Sequence, residues 1–506
     1  MASPAVALLP TVLGAATPMR AASALVYHLA RQKPPVLFVT SEMSDFVQVG
    51  GLGAVSSSLP RALARHCDAR VLLPGYTQVL ARAGDLQIVA QLPGAGAIPP
   101  CSIARTKLAD GLQVYVVLCA ELFERAGFPY CDENGVDFVD NDVRFARLSL
   151  AAAEMATRDI EGWRPMLLHL NDWQTALAAG YLKWRGAATP SLLTLHNLAH
   201  HGLTSAQRLE ALAIPQSAFR LQGVEFYGKI SFLKAGLAYA SHIATVSKAY
   251  AAEITHPSAG CGLEGLLQER AARGDLSGIL NGIDDSWDPR KDQRCAYNYD
   301  AGRWKGRYGD YIRGVFGLTL ARAPLFSLVS RLVHQKGADL VLAASETIIG
   351  CGGQLIVTGH GEPRFEAAFA DLAQRNRQAV GVRIGFDDEE GRAIFAGSDF
   401  ILMPSRFEPC GLSQMYAQRY GAIPIARRTG GLGETVEDGK TGFLFDDADL
   451  PSFESAIRRA LSLYAAPQRL HEMRRAAMAR RFDWTDSAQA YGALYRRLET
   501  QASRDG

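Results

Sequence analysis

Residues 35–53 read PVLFVTSEMSDFVQVGGLG. A five-residue apolar run, 36–40, carries no turn signal and is too short for a helix, so it reads as a strand buried on both faces. It runs out through a polar stretch into Gly50-Gly51-Leu52-Gly53, and a helical stretch follows through residues 59–65. The next apolar run, 71–74, closes a strand–loop–helix–strand unit, the repeating element of an α/β architecture with parallel strands.

The same alternation continues along the chain. Strands are predicted at 112–118, 166–170, 191–195 and 242–246. A second series starts near Leu325, with strands at 325–330, 354–358, 380–384, 400–403 and 423–426. Between the two series, Asn281-Gly282-Ile283-Asp284 and a polar stretch to about residue 314 read as a linker. The domain assignment is therefore an N-terminal extension over 1–34, a first Rossmann-like domain over 35–285, a linker and second Rossmann-like domain over 286–480, and a C-terminal segment over 481–506. A chain of 506 residues with 48% hydrophobic and 21% charged residues has apolar material for two full cores.

A net charge of +2 gives no ground for a nucleic-acid or anionic-membrane surface. The eight cysteines form no Cys-x-x-Cys pair and show no zinc spacing, so no metal is expected and reduced thiols in a cytoplasm are the simpler reading. Residues 1–34 are apolar and free of acids. They lack the basic cluster that opens a secretory signal; their composition permits an organellar transit peptide, and a poorly ordered extension is the plainer reading. No later run is long and apolar enough to span a bilayer.

Ligands in open parallel sheets sit beyond the carboxyl ends of the strands, so the polar residues there carry the functional reading. The Gly50–Gly53 loop lets backbone amides approach an anion at a helix start, and it reads equally as a structural turn. Its glycines come too late after the strand for a dinucleotide fingerprint, and the next strand ends in Leu73-Pro74-Gly75 where a ribose-binding acid would stand, which disfavours an NAD enzyme. Other strand ends present Asn171-Asp172-Trp173, His196-Asn197 and Ser405-Arg406-Phe407-Glu408. Arg331 and Lys336 close behind a strand suit a diphosphate; the alternative is a solvated basic turn. Arg427-Arg428-Thr429-Gly430-Gly431 supplies a further amide-rich turn.

Together these segments resemble the glycogen and starch synthases that use ADP-glucose. The stretches carrying the resemblance are Ser41-Glu42-Met43, Gly50-Gly51-Leu52, Asn171-Asp172-Trp173, LHNLA at 195–199, GVEFYGKISFLKAG at 223–236, GLEGLLQ at 262–268, LNGID at 280–284, SRLVHQKG at 330–337, PSRFEPCGL at 404–412 and RRTGGL at 427–432. The resemblance implies a GT-B fold, two Rossmann-like domains facing across a cleft, and a last helix crossing back to the first domain. It implies retaining transfer of glucose from ADP-glucose to the 4-hydroxyl of an α-1,4-glucan end, with no cofactor, metal, nucleic acid or membrane. It assigns catalytic roles to His196, Asp172, Arg331, Lys336 and Glu408. It implies a donor site lined by Gln48, Gly50, Gly51, Tyr130, Asn197, Phe386, Cys410, Gly411, Leu412, Thr429, Gly430 and Gly431. The chain departs from the family pattern at Gln48, where a lysine is usual, at Ala54, where an acid is usual, and at His200-His201, which replace Tyr-Gln. Tyr416 stands where sucrose- and lipid-type relatives carry a second glutamate.

Overall fold

The structure is a computed structural model that describes residues 33–292, 304–385 and 387–505. The first domain is built on a nine-stranded sheet in the order β12-β11-β7-β6-β1-β2-β5-β4-β3. Its strands are β1 (Pro35–Val39), β2 (Asp68–Pro74), β3 (Gln87–Leu92), β4 (Cys101–Lys107), β5 (Gln113–Leu118), β6 (Leu167–Asn171), β7 (Ser191–Leu195), β11 (His242–Thr245) and β12 (Leu276–Gly278). The central strands are parallel, and those predicted as fully apolar are buried along their length, as strands covered on both faces must be.

The expectation of a parallel sheet needs one amendment. β4 runs antiparallel to both β3 and β5. β3, QIVAQL, is an exposed edge strand with a single buried residue, so it carries no apolar run to read. A small sheet of three short strands, β8 (Leu203–Ser205), β9 (Glu225–Phe226) and β10 (Lys229–Ser231), sits between β7 and β11 in the chain. Strands of two or three residues leave no periodic signal in the sequence.

The second domain has a six-stranded, all-parallel sheet in the order β15-β14-β13-β16-β17-β18. Its strands are β13 (Leu325–Val329), β14 (Gln354–Gly359), β15 (Val380–Ile384), β16 (Phe400–Met403), β17 (Ile423–Arg427) and β18 (Phe443–Phe445). Strand order reverses beside β13 here and beside β1 in the first domain. Those reversals open the crevices where ligands bind in doubly wound sheets.

The helices that matter for the site are α1 (Gly51–Leu63), α2 (Asn141–Thr157), α3 (Trp173–Trp184), α4 (Phe232–Tyr239), α5 (Lys248–Glu253), α6 (Ala338–Gly350), α7 (Ser413–Arg419), α8 (Gly430–Thr435) and α9 (Thr485–Asp505). Helix α9 lies on the first domain: Trp484, just ahead of it, and its Tyr491 and Tyr495 belong to that domain's core. Tyr495 is fixed by His169 inside β6, whose Nδ1 lies 2.7 Å from the phenol while Nε2 meets Thr194 at 2.8 Å. Burial pushes the His169 imidazole down to about 3, so it is neutral and serves as a tether. Among the described residues no helix is long and apolar enough to cross a membrane. Residues 1–32 of the expected extension lie outside the described residues.

Candidate active site

The first crevice opens where β1 ends. Glu42, 3% exposed, turns its carboxylate back onto the glycine loop: Oε2 accepts the amides of Val49 at 2.7 Å and Gly50 at 2.9 Å. Its other oxygen accepts the Tyr130 hydroxyl at 2.5 Å, and Tyr130 also meets Ser41 at 2.9 Å. Burial and the Glu42 charge raise the Tyr130 phenol well above its usual range, so it stays protonated and donates.

Two of the residues expected in the donor site thus have partners within the chain. The Gly50 amide is committed to Glu42, and Tyr130 grips that same carboxylate through its hydroxyl. The amides free to meet a ligand are those of the first turn of α1, from Gly51 onward, which have no intrahelical partner. Glu42 is the residue sequence reading undervalued; only its place beside the glycine loop in the quoted motif pointed to it. Gln48 bends over its own loop, its Nε2 donating to the Gly50 carbonyl at 3.1 Å. Gly53 permits that fold, since a Cβ there would lie 2.9 Å from Gln48 Cγ.

At the neighbouring strand ends, Asp172 stands just ahead of α3 with φ at +55°, a conformation unusual for any residue with a Cβ, and its side chain does not cap the helix. That turn aims Oδ1 at the next loop, where it accepts the amides of His196 at 2.7 Å and Asn197 at 3.4 Å. Burial raises the Asp172 carboxyl to about 7; the two amide bonds oppose the rise and the Glu42 charge adds to it.

His196 Nε2 lies 3.0 Å from Asn171 Oδ1. The Asn171 amide nitrogen is spent on the Val39 carbonyl at 2.9 Å, which fixes its oxygen toward the histidine. Nε2 therefore carries the proton and Nδ1 keeps its lone pair. Burial lowers this imidazole to about 4, so it is neutral at pH 7.

In the second domain, three strand-end loops are sewn together. Gly337, at φ +72°, packs against Pro404, where a Cβ would come within 2.3 Å of the carbonyl oxygen. Lys336 Nζ then reaches Glu408 Oε2 at 2.5 Å, and Ser405 donates to the same oxygen at 3.0 Å. Both ends of this ion pair are shielded, with 19% and 6% of the side chains exposed. Arg331 is exposed, with one long contact from Nη2 to Gln335 at 3.4 Å.

Cys410 is buried and its thiol is pushed up to about 12, so it is inert; Gln414 binds the carbonyls of Cys410 and Gly411. The third loop, expected to line the donor site as an amide-rich turn, has partners within the chain. Thr429 and the Gly430 amide are taken by Glu253 of the first domain, and the Gly431 amide by the Glu408 carbonyl at 3.1 Å. These residues hold the site's frame. Phe386 lies outside the described residues.

The two halves face one another. A Cβ on Gly51 would lie 3.8 Å from Leu412 Cδ1 of the second domain, so the start of α1 and the 408–412 loop share one cleft. His200 lies within reach of the Arg331 charge. Partial burial and that charge lower its imidazole, and Asp137 opposes them. Among the described residues no group of three or more His, Cys, Asp or Glu side chains is placed to hold a metal ion.

Known proteins give this arrangement a family. Residues 35–269 match the starch synthase catalytic domain family, and 320–479 match glycosyl transferases group 1. The chain is 54% identical over 459 residues to glycogen synthase 1 of Bradyrhizobium diazoefficiens, covering 90% of this chain and 99% of that one. It is 52% identical over 471 residues to glycogen synthase of Pseudomonas aeruginosa, covering 92% of each. The catalytic domain of starch synthase IV from Arabidopsis thaliana, bound to ADP and acarbose, superposes with a TM-score of 0.82 at 29% identity, over 93% of this chain and 100% of that one. Sucrose-phosphate synthase from Thermosynechococcus elongatus shares the fold, with a TM-score of 0.57 at 19% identity over 93% of this chain and 100% of that one. With its two Rossmann-like domains in a GT-B arrangement, the chain belongs to the glycogen and starch synthase family of glycosyltransferases.

Proposed function

We propose that the protein is a retaining glucosyltransferase that moves glucose from ADP-glucose to the 4-hydroxyl at the non-reducing end of an α-1,4-glucan. The observation that carries this reading is the shielded Lys336–Glu408 pair with Ser405, set beside the exposed cation of Arg331 and across the cleft from the start of α1. The anomeric C1–O bond to the diphosphate breaks and a C1–O4 bond forms. The acceptor's hydroxyl proton leaves with the diphosphate. The dominant cost is negative charge building on that diphosphate while the sugar becomes oxocarbenium-like.

Arg331 and Lys336 supply fixed cations for the diphosphate. Glu408, held by Lys336 and Ser405, accepts hydroxyls of the donor glucose. Neutral His196 offers the Nδ1 acceptor, while Asp172 fixes the His196-Asn197 backbone. Glu42 and Tyr130 set the glycine loop. The bacterial relatives are glycogen synthases, and the Arabidopsis starch synthase is bound to ADP and acarbose, which supports both substrates. Seven free cysteines among the described residues fit a reducing cytoplasm.

One observation favours a second reading, a related transferase using another sugar nucleotide. The side chain over the glycine loop is neutral Gln48, hydrogen-bonded to its own loop. Transfer assays with ADP-glucose, UDP-glucose and GDP-glucose on glycogen separate the two. Preference for ADP-glucose supports the first; transfer confined to another donor supports the second.

A further inference from the structure

The sheet β8-β10-β9 carries a hairpin with Tyr227-Gly228 at its tip. Tyr227 has φ at +46° and is 82% exposed. A bulky residue in the left-handed region is disfavoured, and glycine or asparagine is its usual occupant. A side chain so exposed buries little apolar surface, so the fold gains little from tyrosine here. Strain of this kind, held by its surroundings, marks a place where function sets the residue.

The hairpin is built to hold it. Gly228 donates its amide to Glu225 Oε1 at 2.8 Å, and Lys234 donates to the Glu225 carbonyl at 2.5 Å. The Tyr227 ring stands edge-on to Phe226, with centroids 4.7 Å apart and planes at 88°. Gly262, at φ +80°, backs the ring closely, since a Cβ there would lie 3.3 Å from it. Phe226 in turn stands edge-on to His201 at 4.7 Å. His201 follows His200, which feels Arg331 across the cleft. Ring contacts thus run from His201, on the loop that leaves β7 at the strand ends, out to the tyrosine.

We propose that Tyr227 is a stacking platform for an α-glucan chain at the outer rim of the cleft, gripping the acceptor beyond its reacting end. The proposal rests on the glucan acceptor of the proposed function. The apolar face of a pyranose ring, lined by C–H bonds, lies flat on an exposed aromatic ring, and a ring fixed in advance loses little freedom on binding.

The test compares Tyr227→Asn, which tolerates the backbone, with Tyr227→Phe, which keeps the ring. Glycogen affinity is read by retardation in native gels containing glycogen, beside steady-state kinetics and thermal unfolding. In Tyr227→Asn we expect the glycogen KM to rise ~3–10-fold, the range that a single aromatic contact spans. The ADP-glucose KM and the turnover at saturating glycogen stay unchanged. The melting temperature rises by about 1–2 °C as strain is relieved. Tyr227→Phe behaves as wild type. Unchanged glycogen retardation and KM in Tyr227→Asn overturn the proposal, and so does a fall in melting temperature with unchanged retardation, which assigns the ring to packing. If wild type transfers no glucose yet is retarded by glycogen through Tyr227, the functional reading fails and the platform stands.

Discussion

Glu253 of the first domain accepts the backbone amide of Gly430 in the second at 2.8 Å. The relationship is reciprocal: Glu434, on α8, accepts the amide of Ala249 at the start of α5 at 2.5 Å. Each short helix thus caps the other's N-terminus with a carboxylate, and Ser247 adds a bond to the Pro409 carbonyl at 2.6 Å. The loop that carries Glu408 is thereby tied to the first domain. Removing a cap of this kind costs about 1 kcal/mol. Glu253→Ala and Glu434→Ala are each expected to lower stability by about that amount, and the double variant by less than the sum, because the two caps hold the same pair of helices. Denaturant unfolding of the four proteins checks this; strict additivity would show that the caps act independently.

Arg331 and Lys336 are expected to separate in stability though they share a role in catalysis. Arg331→Ala removes an exposed cation, so turnover falls at least ~100-fold with the melting temperature unchanged. Lys336→Ala also strands the shielded Glu408 carboxylate, so it loses stability as well, by about 3 kcal/mol. Lys336→Met combined with Glu408→Gln restores much of that stability without restoring turnover. Equal melting temperatures for the two alanine variants would contradict the ion pair.

Gln48 gives a prediction particular to this chain. Gln48→Lys with Ala54→Asp rebuilds the charge pair usual in the family and is expected to raise turnover with ADP-glucose by up to ~10–100-fold if phosphate departure limits the rate. Gln48→Lys alone gains less. Steady-state kinetics of both variants decide it, and no gain from either shifts weight to a different donor.

The pH dependence of stability follows from Asp172 and the buried histidines. His169, His196 and His242 are held to about 3, 4 and 3, against about 6.5 when unfolded. The unfolded chain binds more protons there, so these groups make stability rise with pH from about 4 to 6.5. Asp172 works the other way. Its folded value of about 7 lies above the unfolded value of about 3.9, so its contribution falls as pH rises between the two. Asp172→Asn removes that opposing slope. Unfolding free energies between pH 4 and 8 should rise more steeply in the variant than in wild type; parallel curves would show that Asp172 is charged throughout.

Much of this was legible in the sequence because the functional loops follow short, fully apolar strands. β1, β7, β13, β14 and β16 announce themselves, and Asp172, His196, Arg331 and Glu408 come within a few residues of a strand end. What escaped has a physical reason. β3 is the edge strand and is mostly exposed, β4 beside it, CSIARTK, mixes polar and charged residues with its apolar ones, and the strands of the small sheet are two or three residues long. The grip of Glu42 on residues 49 and 50, and of Glu253 on Gly430, depends on how loops fold back in space. Neither spacing nor residue type encodes that. The internal partners of Thr429-Gly430-Gly431 are hidden for the same reason: amides in a glycine turn serve whichever acceptor the fold brings to them.

The central claim is tested most directly by incubating the purified chain with ADP-glucose labelled in the glucose and with glycogen, then measuring ADP release and label incorporated into polymer. The account predicts ADP and incorporated glucose in equal amounts, with the new residues released by an α-1,4-specific hydrolase. Label that stays soluble, while another sugar nucleotide is consumed under the same conditions, would contradict it.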